Sequence, residues 1–217
     1  MSTNNPVIIF LNKMTDLLLL NLLFLICSIP FVTIGASLTA MYHVNLRSIR
    51  YGDGYVVKEF FKSFCRNLKQ GTVAWILTLI LDVLIYIDIT FWQKHDFGVM
   101  STCMIVVSVF FAFLIGIIEI WLFPVIAKMD DKFCRQVKNA ALMALGFFFP
   151  YTIICAGITF GVAYLIYRNI AAVFVMILIG FSLETYVMSF FFYKVFAKLI
   201  DEEPIGEDDP LYGARNE

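Results

Sequence analysis

Five long apolar runs limit what this chain can fold into. A membrane-spanning helix needs about 20 mostly apolar residues, because the hydrocarbon core is about 30 Å thick and an α-helix rises about 1.5 Å per residue. The runs cover residues 17–40, 72–91, 99–127, 140–167 and 171–197. With 61% hydrophobic and only 15% charged residues, the 217-residue chain has more apolar surface than a soluble core can bury. The sequence predicts an all-α integral membrane protein, with one helical domain over residues 1–200 and the lipid bilayer as its first partner.

The C-terminal segment 201–217 has a different composition. It carries seven acids and one arginine, together with Pro204 and Pro210. A stretch of like charge with prolines cannot bury enough apolar surface to fold by itself. We expect an acidic, exposed tail.

The distribution of lysine and arginine predicts the orientation, because these residues concentrate in cytoplasmic loops. The stretch 41–70 holds six, the loop after the third run holds four, and the C-terminal end holds three. The opposite side then holds Lys13, Lys94 and Arg168. The sequence therefore predicts a multi-pass membrane protein with a cytoplasmic C-terminus and an external N-terminus.

Pro30 interrupts the first run, within the stretch CSIPFVTIGASLTAMY at 27–42. A proline inside a helix lacks a donor and clashes with the preceding turn. The chain could kink there and continue across the membrane. It could also turn back as a re-entrant hairpin, which would place the N-terminus inside. A cleaved signal peptide is a third alternative, although the segment before the run has one lysine and one aspartate.

Small and hydroxyl residues recur at helix-packing spacing. Gly35 and Thr39 are four residues apart, and Gly157 and Gly161 repeat the pattern in the fourth run. Such spacing lets helix backbones approach closely. Ser37 and Thr39 can bond to backbone carbonyls or to another helix. We expect packing seams at both places, and a substrate-facing break around Pro30 is the functional alternative.

Residues 55–69 form an amphipathic pattern after the turn at 52–54. Apolar residues follow helical spacing, and basic residues lie four apart on another face. The pattern predicts a cytoplasmic helix in the membrane interface, with basic residues toward anionic lipid or a partner protein. The residues of this interface are Lys58, Phe60, Phe61, Lys62, Phe64 and Arg66.

Three acids lie deep in the apolar runs, namely Asp82, Glu119 and Glu184. Intramembrane acids are costly and are candidate functional groups by default. No lysine or arginine lies deep in any run to neutralise them. They could be neutral hydrogen-bonding groups between helices, or groups that couple to a proton or cation. The second alternative implies a homo-oligomer, because a transporter of this size usually dimerises.

The sequence lacks the signatures of enzymes, metal sites and nucleic-acid binding. It has no Walker A loop, HExxH, GxSxG or GxGxxG motif, and its five cysteines show no CxxC spacing. Its basic residues border the apolar runs, and no nucleic-acid recognition motif is present. We expect a non-enzymatic protein with no cofactor, no metal and no nucleic-acid partner.

Three segments, in this order, resemble the YesL family of bacterial membrane proteins of unknown function. They are LNKMTDLLLLNLLFLICSIPFVTIGASLTAMY, GDGYVVKEFFKSFCRNLKQGT and FPVIAKMDDKFCRQVKNAALMAL. Met129 stands where family members often have an aromatic residue. Genes of this family often neighbour genes for carbohydrate ABC transporters and sensor kinases. The resemblance therefore implies an accessory or regulatory component of a carbohydrate ABC transporter, in contact with its permease or ATPase subunits. A small independent transporter or channel that uses the buried carboxylates is the alternative.

Overall fold

The computed structural model describes residues 6–52, 55–95 and 97–199, so the acidic tail predicted at 201–217 lies outside the described residues. Helices make up 93% of the described residues, and none of these residues lies in a strand. Five helical stretches are long and apolar enough to cross a membrane, which confirms the predicted fold class. They are Val7–Cys27, Val56–Lys94, Val99–Lys128, Phe148–Arg168 and Ile170–Leu199. The α-helices are α1 (Pro6–Cys27), α2 (Ile34–Tyr51), α3 (Val56–Lys94), α4 (Val99–Lys128), α5 (Phe133–Gly146), α6 (Ile153–Arg168), α7 (Ile170–Val175) and α8 (Phe181–Leu199).

The chain reverses direction at Pro30, so the first run is a hairpin rather than one kinked span. The turn is closed by the Thr33 hydroxyl, which lies 2.6 Å from the carbonyl oxygen of Cys27 and can satisfy that orphan group at the end of α1. At the other end of the hairpin, the Lys13 ammonium donates to the Ser48 hydroxyl at 2.5 Å. The kinked-span alternative over 17–40 is therefore wrong, and α1 begins earlier, at Pro6.

The amphipathic stretch 55–69 and the second predicted span form one continuous helix, α3, of 39 residues. At about 1.5 Å per residue, α3 is nearly 60 Å long, twice the hydrocarbon thickness. The separate interfacial helix was a wrong prediction. No helix breaker stands between Leu68 and Thr72 except Gly71, and Gly71 is tolerated because α2 packs directly on it.

The predicted span 140–167 is interrupted at its start. Phe149 has an extended backbone (φ −106°, ψ 127°), and a π-helical turn covers Phe148–Thr152. The cause is Pro150, which disfavours the α-conformation in the residue before it. The segment is therefore divided into α5 and α6. The third predicted span, 99–127, is confirmed as α4.

The fifth span contains a second π-helical turn, Met176–Gly180, between α7 and α8. Asn21 of α1 is fully buried beside it. Its amide donates to the Ile177 carbonyl at 2.7 Å, and its carbonyl accepts from the Ser182 backbone N–H at 3.1 Å. Asn21 therefore satisfies backbone groups near the irregular turn, which would be costly to leave unpaired in an apolar setting.

Two apolar clusters hold the helices together. The larger surrounds Trp121 of α4, whose ring contacts Phe192 of α8 at a centroid distance of 4.8 Å. The smaller joins the α1–α2 hairpin to Phe60 at the start of α3. Because α2 takes part in both clusters, it connects the hairpin to the remaining helices.

Candidate functional site

The basic residues predicted on α3 lie on one exposed side of the helix. Lys58, Lys62 and Arg66 are all exposed. The apolar stripe expected opposite them is only partly buried, since Phe60 is fully buried in the smaller cluster while Phe61 is 44% exposed. Phe60 is therefore the residue that fixes this part of α3, and the lysines and Arg66 remain accessible to a ligand or partner.

The loop between α4 and α5 lies against this side of α3. The Arg66 guanidinium is 3.6 Å from the carboxylate of Asp130. One helical turn further, the Gln70 side-chain amide donates to the backbone carbonyl of Asp131 at 3.2 Å. Two basic segments that are about 60 residues apart in the sequence therefore form one surface, which we call the basic surface. Its basic residues are Lys58, Lys62, Arg66, Lys128, Lys132, Arg135 and Lys138.

A buried acid organises the inner side of the basic surface. Glu59 is only 6% exposed and forms an ion pair with Arg47 of α2. His43, also on α2, lies with its Nε2 atom 3.8 Å from the Glu59 carboxylate, and its Nδ1 atom lies 3.2 Å from the Ala127 carbonyl of α4. Because a carbonyl only accepts, Nδ1 carries the proton. The Glu59 group thus links α2, α3 and α4.

Burial lowers the pKa of His43, and the neighbouring Arg66 and Arg47 act in the same direction. The hydrogen bond to Ala127 and the charge of Glu59 oppose this effect without reversing it. His43 lies on α2, outside the five candidate spans. We infer that its imidazole is neutral near pH 7, since an ordinary histidine pKa is about 6.5.

A cleft of about 380 Å³ opens between α2, α3 and the end of α4. We call it the basic cleft. Five cationic side chains and two acids line it, together with His43. The cations are Arg47, Arg50, Lys62, Arg66 and Lys128, and the acids are Glu59 and Asp130. The sequence did not predict this cleft, because its lining residues come from three helices that are separate in the sequence.

Two of the predicted acids meet in a second cleft. Glu119 of α4 and Glu184 of α8 both line a space of about 380 Å³ between α2, α4, α6 and α8. Apart from hydroxyl groups such as those of Tyr42 and Thr159, its lining is mainly apolar. We call it the carboxylate cleft. Two carboxyls in such surroundings could accept a cation or a proton.

Glu119 also lines a third cleft, of about 410 Å³, between α3, α4 and α5. Phe133 and Val137 of α5 form part of its lining. The Glu119 Oε1 atom is buried and has no hydrogen-bond partner among the described residues. Asp82 of α3 is exposed on the helix surface and lines neither of these two clefts. Of the three predicted acids, Glu119 is therefore the one that lines both clefts.

The two predicted small-residue seams have different outcomes. Gly35 packs directly on Gly71 of α3, so the first seam is confirmed as a helix contact. Ser37 and Thr39 are buried there, and the Thr39 hydroxyl bonds back to the Gly35 carbonyl at 2.8 Å. The second prediction is wrong within the described chain, since nothing lies within 4 Å of a side chain added at Gly157 or Gly161.

Comparison with known proteins gives one family match. Residues 17–89 match the model of a family described as "Protein of unknown function, DUF624". The match covers about a third of the chain: the α1–α2 hairpin from Leu17 onward and most of α3. No curated protein and no solved structure matches the chain. The matched segment thus contains Gly35, Gly71 and most of the basic cleft, and it is similar to a family whose function is unknown.

Proposed function

We propose that the protein is a non-enzymatic membrane component that assists or regulates a carbohydrate ABC transporter through its basic surface. The observation that carries the proposal is the contact between α3 and the α4–α5 loop. Arg66 forms an ion pair with Asp130, and the Gln70 side chain donates to the Asp131 carbonyl. A continuous charged surface at one end of a helical bundle is suited to docking a partner of opposite charge.

The kind of partner is inferred from the resemblance to the YesL family, whose genes often neighbour those for carbohydrate ABC transporters. Because positive charge concentrates on cytoplasmic loops, we expect the basic surface to face the cytoplasm, the side where ATPase subunits bind. Permease loops and ATPase subunits are therefore the partners that this surface would meet.

Affinity purification from native membranes tests the accessory role. We expect permease or ATPase subunits to copurify with the wild-type protein. Lys62→Gln combined with Lys132→Gln should reduce their yield several-fold, since both residues belong to the basic surface. Lys94→Gln combined with Arg168→Gln removes the same charge at exposed positions on the predicted opposite side and should leave the yield unchanged. Purification of the wild-type protein without either kind of subunit would contradict the proposal.

A second candidate function is that of a small transporter or channel. The observation that favours it is the meeting of Glu119 and Glu184 in the carboxylate cleft. A carboxyl that binds a cation or exchanges a proton in an apolar cleft could couple such an ion to transport.

Reconstitution into liposomes distinguishes the second candidate from the first. A pH or sodium gradient would be applied to the wild-type protein and to Glu119→Gln, Glu184→Gln and Asp82→Asn. An amide preserves shape and hydrogen bonding but cannot ionise, so a transporter should lose its flux in at least one folded amide variant. Asp88→Asn is a matched control, because Asp88 is held by Trp92 and Ser108 and lines neither cleft. Wild-type protein without flux would exclude this candidate.

A further inference from the structure

We propose that the carboxylate cleft binds a protonated amine that carries an apolar body. The inference rests on the second candidate function, because it names the class of cation that the cleft of that function would take. Its basis is the convergence of carboxyls from α4 and α8 on one cleft whose remaining lining is mainly aromatic, aliphatic and thioether.

The charge of the lining favours a cation. Glu119 and Glu184 both line the cleft, and none of the described residues that line it is a lysine, an arginine or a histidine. The Oε1 atom of Glu119 is buried and has no hydrogen-bond partner among the described residues. A buried polar atom without a partner is costly. A ligand that carries both a positive charge and N–H donors would therefore satisfy this carboxyl.

The size and the oxygen content of the cleft suit an organic cation better than a metal ion. Its volume of about 380 Å³ lies within the usual range of small-molecule sites. Ions such as Ca²⁺ and Mg²⁺ take about six oxygen ligands. Besides the two carboxyls, the side-chain oxygens of the lining are the hydroxyls of Tyr42, Thr159 and Thr185. Both threonine hydroxyls already donate to backbone carbonyls of their own helices, at 3.1 Å and 2.9 Å.

The rest of the lining favours an apolar body on the amine. Four lining residues are aromatic and two are methionines, namely Tyr42, Phe123, Phe160, Phe181, Met41 and Met188. Aromatic faces attract cations and also pack against apolar groups. Methionine side chains adapt to the shape of what they contact. A phenylalkyl amine, which is protonated near pH 7 as lysine is, combines the charge and the apolar body that this lining accepts.

The position of the cleft gives such a ligand a route of entry. Phe160 of α6 lines the cleft and is 68% exposed, so the cleft reaches the surface of the helical bundle at α6. This helix lies within the candidate span Phe148–Arg168, and the exposed surface there would face lipid. A molecule with an apolar body concentrates in the bilayer. It would therefore reach the cleft from the membrane, which an inorganic ion avoids.

Calorimetric titration of the purified protein in neutral detergent tests the inference. The protein would be titrated with phenylpropylamine and with phenylpropanol, which has the same apolar body without the charge. Titration of protein-free micelles measures the heat of partitioning, which is subtracted. We expect the amine to bind at least about 10-fold more tightly than the alcohol. This comparison needs only the wild-type protein, so it remains informative if a variant fails to fold.

Amide variants locate the site. Glu184→Gln and Glu119→Gln should each weaken binding of the amine about 30-fold, because each removes one partner of a buried charge pair. Binding of the alcohol should stay unchanged, which shows that the cleft is still formed. Asp88→Asn is the matched control, since Asp88 is held by Trp92 and Ser108 and does not line the cleft. The control should bind the amine as the wild-type protein does.

The inference is overturned if the amine and the alcohol bind equally well, or if Asp88→Asn weakens amine binding as much as Glu184→Gln does. Because binding is measured without a gradient, its failure is distinct from that of the second candidate function. Proton or sodium flux in liposomes without amine binding would overturn this inference and leave the transporter. Amine binding without flux would support the site and count against transport.

Discussion

At the residue scale, the contact between Gly35 and Gly71 sets how closely α2 and α3 approach. A methyl group added at Gly35 would lie 2.2 Å from the Gly71 carbonyl oxygen, which is a backbone atom and cannot swing away. We expect Gly35→Ala to lower the free energy of unfolding by about 1–3 kcal/mol, the usual cost of overpacking. Denaturation in detergent measures this change.

Gly157→Ala is the control for Gly35→Ala. Nothing lies within 4 Å of the added methyl group at Gly157, and alanine favours a helix over glycine by up to about 1 kcal/mol. The variant should therefore be as stable as the wild-type protein or slightly more stable. Equal destabilisation by both changes would show that the Gly35–Gly71 contact is not the cause.

A pH prediction follows from His43. Its pKa in the folded protein is below the unfolded value of about 6.5, so the unfolded chain takes up the proton first as the pH falls. The free energy of unfolding should therefore decrease as the pH drops below about 6.5 and continue to decrease to the folded pKa. His43→Gln should remove this part of the pH dependence. Thermal unfolding between pH 7.5 and 5 measures it, and identical slopes for the two proteins would refute it.

Individual residues were only partly predictable from the sequence. Four-residue spacing correctly identified Gly35 and Thr39 as packing residues, since spacing reports the face of a helix. It could not identify Gly71, which is distant in the sequence and whose importance depends on which helix packs on it. The buried Asn21 could have been predicted from the sequence, because an amide within an apolar run needs a partner. The sequence analysis did not single it out.

At the element scale, the start of α3 depends on one of two adjacent phenylalanines. Phe60 is fully buried against the α1–α2 hairpin, and Phe61 is exposed. We expect Phe60→Ala to lower the free energy of unfolding by about 3–5 kcal/mol, the usual cost of removing a buried phenyl ring. Phe61→Ala, the matched control, should cost much less. Similar losses from both changes would mean that α3 is not docked in this way.

The limits of the helices were less predictable than their number. The five apolar runs and the five candidate spans agree in number, because bilayer thickness constrains length, but the first run covers the α1–α2 hairpin while its candidate span is Val7–Cys27. Periodicity did not reveal that the amphipathic stretch continues into the second span as α3, since polar and apolar faces are compatible with one straight helix. Pro150 could have been read as a break before α6, because its effect on Phe149 is local.

At the scale of the whole molecule, the hairpin changes the predicted side of the N-terminus. The Lys13 end of α1 lies beside Ser48, next to the basic end of α2 and α3. With Lys13 on that side, 13 of the 15 lysines and arginines among the described residues share the predicted cytoplasmic side, and Lys94 and Arg168 remain opposite. The charge rule and the helix arrangement then agree better than with a kinked first span.

The candidate sites were predictable as residues but not as assemblies. The sequence identified Lys62, Arg66, Glu119 and Glu184, because charges beside or within apolar runs stand out. It could not show that Lys62 and Arg66 line the basic cleft together with Arg47 and Lys128. Nor could it show that Glu119 and Glu184 both line the carboxylate cleft. Those groupings depend on how α2 and α4 pack, and side chains on different helices leave no common pattern in the sequence.

We expect the N-terminus and the basic surface to face the cytoplasm together, and thiol labelling in intact cells tests this directly. Single cysteines would replace Lys62, Lys132 or Lys94 in a protein without native cysteines, and an N-terminal tag would be probed in parallel. We predict that a membrane-impermeant reagent labels the cysteine at 94 alone, and that the tag and the cysteines at 62 and 132 become accessible only after permeabilisation. External labelling at 62 or 132, or an external tag, would contradict the account.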